Sequence, residues 1–202
     1  MAKNANSEEI DFYKPEKRFI IPINCFHIPK KLLSEFKKGE YHFEINANFS
    51  LVIENCTKNR KTLDINNDSE TWINQIIKDT YVKLYRQGYA KSIECFYENK
   101  LVGGLYGLHI GACFFGESMF SHFTNTSKLC LLFLISILKN YNFKLLDSQF
   151  YNSHLVQFGA YEISNQKYQE RLKEGINEKC IFPKSFDYQK SFLILQSLSH
   201  KS

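Results

Sequence analysis

The sequence lacks the residue spacings that identify metal sites and disulfide-rich folds. Its six cysteines are widely separated, no two of them form a Cys-x-x-Cys pair, and no histidines stand at a matching spacing. This pattern argues against a structural zinc site and against the disulfide framework of small secreted proteins. We therefore expect reduced, mostly buried thiols and no bound metal.

Long apolar stretches are missing as well. The longest, residues 129–138, has ten residues, whereas a membrane-spanning helix needs about 20. The first twenty residues are polar and charged, so they do not form a secretory signal with an apolar centre. These absences predict a soluble cytoplasmic protein with no membrane partner.

Positively charged residues exceed negatively charged ones only slightly. Lys and Arg number 26 against 21 Asp and Glu, a formal net charge of +5, which permits a polyanionic partner, although solvated surface lysines are the commoner explanation. A chain of 202 residues with 44% hydrophobic content suits one or two globular domains. Because residues 57–69 form a polar stretch suited to a linker, we predict a small N-terminal α/β subdomain at residues 1–62 and a main domain at residues 63–202.

Three glycines stand close together, at Gly103, Gly104 and Gly107. Their spacing matches neither the P-loop nor the dinucleotide-binding motif, and they do not open a helix. We expect them to permit bulges or close packing within a hairpin. The sequence shows no recognisable Ser-His-Asp or Cys-His arrangement for nucleophilic catalysis.

Apolar periodicity and turn residues predict an α+β fold. The clearest helix carries an apolar stripe from Trp72 to Tyr85, with Asp68 or Ser69 as its cap and Gly88 at its end. A second helix, over residues 126–141, is apolar nearly all round and should be buried on most sides. The other predicted helices cover residues 30–38, 48–56, 152–158 and 164–173, and the strands cover 18–22, 41–45, 92–98, 101–108, 111–115 and 144–151. This order suits a mixed, mostly antiparallel sheet with flanking helices.

Two carboxylates stand in unusual positions. If residues 144–151 alternate as a strand, Asp147 and Gln149 share one face, where they could orient and deprotonate an amine. A polar face exposed to solvent is the commoner cause of this spacing. Glu117 lies within an aromatic run, which suits a pocket and an exposed strand end equally well. Among the histidines, only His154 is a site candidate.

Six motifs follow one another along the chain. They are Thr71-Trp72-Ile73, Gly103-Gly104-Leu105-Tyr106-Gly107, Phe115-Gly116-Glu117-Ser118-Met119-Phe120-Ser121, Ser127-Lys128, Leu146-Asp147-x-Gln149 with Asn152 and His154, and Gly159-Ala160-x-Glu162-Ile163. In this order they resemble the leucyl/phenylalanyl-tRNA–protein transferase family. The resemblance runs from about residue 12 to residue 172, and the block around Glu117 is its most specific part.

The resemblance implies an acyltransferase fold of the GNAT superfamily for residues 63–202 and a peptidyl transfer that needs no ribosome. Such an enzyme takes Leu or Phe, and sometimes Met, from charged tRNA and joins it to a protein that begins with Arg or Lys. The product then enters the N-degron degradation pathway. Because aminoacyl-tRNA is already an activated ester, the reaction needs no ATP, metal, cofactor or covalent enzyme nucleophile. We expect the protein to act as a monomer.

The resemblance also implies roles for individual residues. Asp147, aligned by Gln149, would activate the α-amine, and Glu117 would lie at the edge of the pocket for the transferred side chain. That pocket would be lined by Leu105, Phe114, Leu134 and Leu138. The 3′-terminal adenosine of the tRNA would contact Trp72, Tyr81 and Phe12, with Trp72 and Tyr81 on one face of the long helix. Its phosphates would contact Lys78, Lys83 and Arg86. Further site candidates are Ser118, Asn152 and His154.

Two departures from the family pattern affect these expectations. Family members usually begin with a block that carries a Gly-Ile-Phe-Pro-Trp type motif, which has no counterpart in this sequence, so Phe12 or Tyr13 would supply the aromatic wall of the adenosine site. Leu134 and Leu138 stand where many relatives have Phe, which predicts a wider pocket. Two alternatives stay open: a transferase that modifies N-terminal Asp or Glu, and a non-catalytic protein that binds tRNA or degrons.

Overall fold

The computed structural model describes residue 1, residues 9–58 and residues 72–199. Its strands are β1 (Lys17–Ile20), β2 (His42–Ile45), β3 (Ala90–Tyr97), β4 (Lys100–Ile110), β5 (Cys113–Ser121), β6 (Leu145–Asp147) and β7 (Tyr161–Ser164). Its helices are α1 (Lys30–Lys37), α2 (Phe49–Lys58), α3 (Gln75–Arg86), α4 (Thr126–Asn140), α5 (Ser153–Val156), α6 (Asn165–Asn177) and α7 (Tyr188–Ser199).

The described strands form one sheet in the order β2-β3-β4-β5-β6-β1-β7. All neighbours are antiparallel except β5 and β6, which are parallel because α4 carries the chain from one to the other. The predicted α+β class and mostly antiparallel sheet are confirmed. Strands β1 and β2 come from residues 1–62, so both predicted parts of the chain contribute to this sheet. The predicted boundary between residues 62 and 63 lies outside the described residues.

Apolar side chains cover both faces of the sheet. On β4, Leu105 joins a main cluster with α1, α4 and α7, whereas the next residue, Tyr106, joins a second cluster with α2 and α3. Since successive side chains of a strand point to opposite faces, the two clusters lie on opposite sides of the sheet. A third cluster lies beneath α6, around Tyr168. The prediction that α4 is buried on most sides is confirmed, because eleven of its residues are buried.

The glycines of β4 permit close packing, as the sequence predicted. A Cβ atom on Gly103 would lie 2.5 Å from the Thr126 side chain at the start of α4. A Cβ atom on Gly107 would lie 2.2 Å from the carbonyl oxygen of Phe115 on β5. Both distances are shorter than van der Waals contact, so any larger residue would push apart a helix or a strand.

Strands β5 and β6 pair over only three residues. Cys113 to Phe115 lie opposite Leu145 to Asp147, after which β6 ends and β5 continues to Ser121. The sequence predicted the reverse, with β5 ending at Gly116 and β6 continuing to residue 151. A gap therefore opens in the sheet beyond Phe115 and Asp147.

Several predicted boundaries move in the structure. Helix α3 begins at Gln75, where the side chain of Asn74 accepts a hydrogen bond from the Ile77 amide at 2.8 Å. Trp72 therefore precedes the helix and is not part of its face, while the predicted caps Asp68 and Ser69 lie outside the described residues. Helix α7 had no counterpart in the sequence prediction. None of the described helices is both long and apolar enough to cross a membrane.

Candidate active site

Two cavities meet in the gap of the sheet. One has a volume of about 430 Å³ and is lined largely by apolar side chains, and we call it the apolar cavity. The other, about 740 Å³, is lined by many aromatic rings and is called the aromatic cavity. Both cavities share four residues at their junction, which are Glu117, Ser148, Gln149 and Asn152. A ligand with two chemically different ends could place one end in each cavity.

The apolar cavity receives residues from both edges of the gap. Glu117, Ser118 and Met119 come from the free part of β5, and Leu146 and Asp147 come from the end of β6. Its remaining lining includes Ile21, Leu105, Ser127, Lys128, Leu131, Leu134, His154, Leu155 and Phe158. The early end of β6 thus creates space between two strands that a continuous ladder would have closed.

Glu117 reaches the junction because it is the extra residue of a β-bulge. On β5, Gly116 pairs with Gly107 and Ser118 pairs with Tyr106, which leaves Glu117 without an opposite residue. Bulges redirect a side chain and are frequent beside active sites. Burial raises the pKa of Glu117 to about 7, although a hydrogen bond from the Tyr81 side chain partly offsets this effect. A carboxyl group that exchanges a proton near neutral pH therefore lies between the cavities.

Tyr81 is the hydrogen-bond donor to Glu117. Its pKa is raised by burial and by the nearby Glu117 carboxylate, so the phenol keeps its proton. The Tyr81 ring also packs edge-on against Tyr106, with ring centroids 5.2 Å apart. Helix α3 thereby fixes the orientation of a bulge residue on β5.

Asp147 is fully buried and both of its carboxylate oxygens accept hydrogen bonds. Oδ1 accepts from the backbone N–H of Gln149 at 2.8 Å, and Oδ2 accepts from the Tyr168 hydroxyl at 2.8 Å. Arg18 forms an ion pair with the same Oδ2. A buried carboxylate is tolerated only when it is paired and hydrogen-bonded in this way.

Gln149 lies beside Asp147 for a different reason from the predicted one. The prediction placed both side chains on one face of a strand, but the strand ends at Asp147 and Gln149 has φ of 63°. A polar side chain that hydrogen-bonds the backbone two residues on forms a turn in place of a ladder. The Asp147 contact is thus to the Gln149 backbone, and Gln149 itself lines both cavities.

Half of the predicted side-chain pocket lies where it was expected. Leu105 and Leu134 line the apolar cavity. Phe114 and Leu138 lie instead in the main core, with no exposed surface, and Phe114 packs on Phe182 with ring centroids 5.6 Å apart. The resemblance that assigned these four residues to one pocket did not distinguish a cavity wall from the interior.

The other predicted residues divide between the two cavities and the surface. Phe12, Trp72 and Tyr81 line the aromatic cavity, and Phe12 is 97% exposed. Ser118 and His154 line the apolar cavity, and Asn152 lines both. Lys78, Lys83 and Arg86 lie on α3, where Lys83 and Arg86 are exposed and Lys78 is half-buried, and none of the three lines either cavity.

Sequence reasoning gave no role to several residues of this region, among them the junction residue Ser148. Arg18 and Tyr168 contact Asp147 but lie 129 and 21 positions away from it in the chain, and no motif linked them. Lys128 lines the apolar cavity. It belonged to a quoted motif, Ser127-Lys128, so a signal for it was present although its function was not inferred.

The family that the sequence matches agrees with the one that the order of the motifs predicts. A model of the family described as leucyl/phenylalanyl-tRNA protein transferase matches residues 20–173. The chain belongs to this family. The resemblance predicted from the motifs is thereby confirmed, and the leucyl/phenylalanyl-tRNA–protein transferase family makes the chain an aminoacyltransferase.

Individual members of the leucyl/phenylalanyl-tRNA–protein transferase family are similar over most of their length. The transferase of Paramagnetospirillum magneticum is 40% identical over 185 residues, which cover 92% of this chain and 86% of that protein. The transferase of Caulobacter vibrioides is 40% identical over 176 residues, which cover 87% of this chain and 79% of that protein. The family match over residues 20–173 spans both edges of the gap and all four junction residues.

The wall of the apolar cavity permits a test of selectivity among leucyl/phenylalanyl-tRNA–protein transferase donors. Leu134→Phe adds a ring to a residue that lines the cavity. We expect the ratio of kcat/KM for Leu-tRNA over Phe-tRNA to rise about 10-fold, because small size differences in an apolar pocket change discrimination by this order. The measurement is a steady-state transfer assay with each charged tRNA.

Leu138→Phe is the matched control, since it introduces the same ring on the same helix at a position that does not line the cavity. Overpacking there should lower the free energy of unfolding by about 1–3 kcal/mol and leave the donor ratio unchanged. An equal change of the donor ratio in both variants would mean that Leu134 affects selectivity only through general packing.

Proposed function

We propose that this chain joins leucine or phenylalanine, and also methionine, from charged tRNA to the α-amine of proteins that begin with Arg or Lys. The observation that carries this proposal is the junction of two unlike cavities at Glu117 and Gln149. The apolar cavity suits an unbranched or γ-branched side chain, and its Met119 can adapt to ligands of different shape. The aromatic cavity suits a nucleoside base, which stacks on aromatic rings.

The reacting ester would lie at the junction. With the side chain of the donor in the apolar cavity and its adenosine in the aromatic cavity, the carbonyl carbon between them falls near Gln149 and Glu117. Holding two reactants in place supplies much of the rate increase in such a reaction, because the ester is already activated. The α-amine of the acceptor, after its ammonium form has lost a proton, attacks this carbonyl. The ester C–O bond then breaks, and the ribose oxygen of the terminal adenosine takes up a proton and leaves as the hydroxyl of the free tRNA.

The carboxylate at the junction favours a cationic acceptor. Glu117 lines both cavities and Asp11 lines the aromatic one, whereas the charge of Asp147 is already paired with Arg18. Opposite charges at such a site raise the local concentration of a basic N-terminal residue and disfavour an acidic one. This supports Arg or Lys, and not Asp or Glu, as the first residue of the acceptor.

The proposed roles of the site residues follow from their positions. Asp147 and Gln149 orient and activate the amine, while Glu117, Ser118, Asn152 and His154 contact the reacting groups. Phe12, Trp72 and Tyr81 hold the terminal adenosine. Lys78, Lys83 and Arg86, outside the cavities, hold phosphates of the acceptor stem. Since one chain supplies both cavities, we propose that it acts as a monomer in the cytoplasm, where its tRNA substrate is made.

A transfer assay tests the proposed function. Purified protein is mixed with tRNA charged with labelled Leu, Phe or Met and with four reporter proteins that differ only in a first residue of Arg, Lys, Asp or Glu. Label should appear on the Arg and Lys reporters alone. Transfer to the Asp and Glu reporters alone would overturn the acceptor assignment, and tRNA binding without any transfer would indicate a non-catalytic binding protein.

The aromatic cavity predicts a separate effect on tRNA affinity. Trp72→Ala should raise the Kd for charged tRNA by a factor that corresponds to about 1–3 kcal/mol, the usual contribution of stacking one base. Trp72→Phe, which keeps an aromatic ring, should recover most of the affinity. Tyr89→Ala, at an exposed ring outside both cavities, serves as control. Equal Kd values for all of these proteins would remove Trp72 from the adenosine site.

A further inference from the structure

Three different parts of the chain converge on the Asp147 carboxylate. Arg18 comes from β1, Tyr168 from α6, and Gln149 from the loop after β6. Arg18 and Tyr168 both bind Oδ2, while Oδ1 is left to the Gln149 backbone. The two oxygens therefore have different partners, with one held by side chains and the other holding the loop at the junction.

Arg18 and Tyr168 also contact one another. The guanidinium carbon of Arg18 lies 4.5 Å from the centre of the Tyr168 ring, and its Nη2 donates to the Tyr168 hydroxyl at 3.2 Å. Burial, together with the Asp147 charge, raises the pKa of Tyr168, which keeps its hydroxyl protonated as a donor. The pair is thus a preformed group of donors, fixed before any substrate binds.

Strand β1 also holds the loop after β6, through hydrogen bonds of its backbone. The amide and the hydroxyl of Ser148 both donate to the carbonyl of Phe19 at 2.9 Å, and the Phe19 amide donates to the Gln149 carbonyl at 3.1 Å. Residues 148 and 149 are therefore attached to β1 on one side and to the Asp147 carboxylate on the other. A shift of that carboxylate would move Gln149 at the junction of the cavities.

We propose that Arg18 and Tyr168 are positioning residues for aminoacyl transfer. They fix Oδ2 of Asp147, so that Oδ1 holds Gln149 in its left-handed conformation where the reacting ester lies. This inference rests on the proposed function. Tyr168 lines neither cavity, and Arg18 lines the aromatic cavity, but in this role each acts through Asp147.

The variants Tyr168→Phe, Arg18→Lys and Arg18→Met test the inference in the full chain. Tyr168→Phe removes one hydrogen bond to a charged group and should lower kcat about 10-fold. Arg18→Met should lower kcat about 100-fold, and Arg18→Lys, which keeps the positive charge, should recover part of that loss. The KM for charged tRNA should change less than about twofold in Tyr168→Phe, because Tyr168 lines neither cavity. Arg18 also lines the aromatic cavity, so its two variants are compared by kcat alone.

Two surface variants provide matched controls. Lys17→Met removes a cation from the same strand, where Lys17 pairs with the exposed Glu162 at 3.5 Å. Tyr161→Phe removes a phenol hydroxyl that accepts from Arg171 at the surface. Both should transfer at the rate of the unaltered protein. Thermal unfolding of every variant establishes that the assay temperature lies well below its midpoint.

A double-mutant cycle separates action through Asp147 from other roles. In an Asp147→Asn background, adding Tyr168→Phe or Arg18→Met should change kcat less than about threefold, since the carboxylate that they hold is gone. If either substitution still lowers kcat by its full factor in this background, or if Tyr168→Phe changes KM instead of kcat, the inference is overturned. If Arg18→Met does not fold, Tyr168→Phe and Arg18→Lys still decide the question.

The outcome also distinguishes this inference from the proposed function. An unaltered protein that transfers no amino acid to any reporter overturns the proposed function and this inference with it. An unaltered protein that transfers, while Tyr168→Phe and Arg18→Met keep its kcat, overturns only the positioning roles.

Discussion

Asp147→Ala should lower kcat for leucyl transfer by about 100-fold or more, while the Kd for charged tRNA changes only a few-fold. The reason is geometric: the carboxylate holds Gln149 at the junction, and a displacement of about 1 Å at a reacting centre can reduce a rate by about 100-fold. The proposed donor-binding walls, Leu134 and Trp72 among them, keep their positions. Single-turnover kinetics with preloaded tRNA and a separate filter-binding measurement give the two quantities.

The alanine variant also loses stability, which must be measured beside activity. It leaves the half-buried Arg18 guanidinium without its carboxylate, and breaking a buried ion pair from one side costs about 3–5 kcal/mol. Asp147→Asn is the better-matched variant, since it keeps an oxygen that can accept from the Gln149 N–H and removes only the charge. A loss of tRNA affinity as large as the loss of kcat would make Asp147 a residue for binding or folding.

Glu117→Gln should stabilise the protein at pH 8 and leave its stability at pH 5 nearly unchanged. In the folded chain the pKa of Glu117 is raised to about 7, above the ordinary value of 4.5, mainly by burial. A glutamine has the same shape, can still accept from the Tyr81 hydroxyl and cannot ionise. The variant therefore lacks the cost of holding a charge at this site.

The pH range of this effect follows from the raised pKa. The folded state holds the Glu117 proton more tightly than the unfolded chain, so the stabilisation is fully present below pH 4.5 and is lost as pH rises through about 7. The difference between the folded and unfolded pKa values corresponds to a loss of about 3 kcal/mol, at most, in the free energy of unfolding. For a chain of this length the unfolding midpoint of Glu117→Gln should exceed that of the unaltered protein at pH 8 by about 6–12 °C.

Thermal unfolding followed by circular dichroism between pH 5 and pH 8 measures this difference. Glu162→Gln, at an exposed carboxylate on β7, is the control and should follow the unaltered protein at every pH. If the unfolding midpoints of Glu117→Gln and the unaltered protein differ by the same amount at every pH, Glu117 does not carry a raised pKa.

The local chemistry of the chain was sufficient to predict its class of fold. Helix α4 and the hairpin of β3 and β4 are determined by periods of apolar residues and by the turn between them, which are properties of neighbouring residues. The motif order was equally local and predicted the family correctly. These features require no knowledge of which strand lies next to which.

The arrangement of the site depends on distant contacts that no local pattern contains. Asp147 appears in sequence as the fourth residue of a longer strand, and only its contacts with Arg18 and the Gln149 backbone explain why the strand ends there. Glu117 becomes the extra residue of a bulge because Gly107 on the opposite strand allows the backbone of β5 to approach closely. Leu134 and Leu138 lie one turn apart on the same helix, yet only Leu134 faces the gap between β5 and β6.

The short pairing of β5 with β6 has a mechanical consequence. Three residue pairs form the seam between a block of four strands, β2 to β5, and a block of three, β6, β1 and β7. The apolar cavity, which is the proposed donor pocket, lies along this seam, with Glu117 on one block and the Asp147 group on the other. A slight change in the angle between the blocks would widen or narrow the pocket without breaking a ladder inside either block, so side chains of different size can be accepted by one sheet.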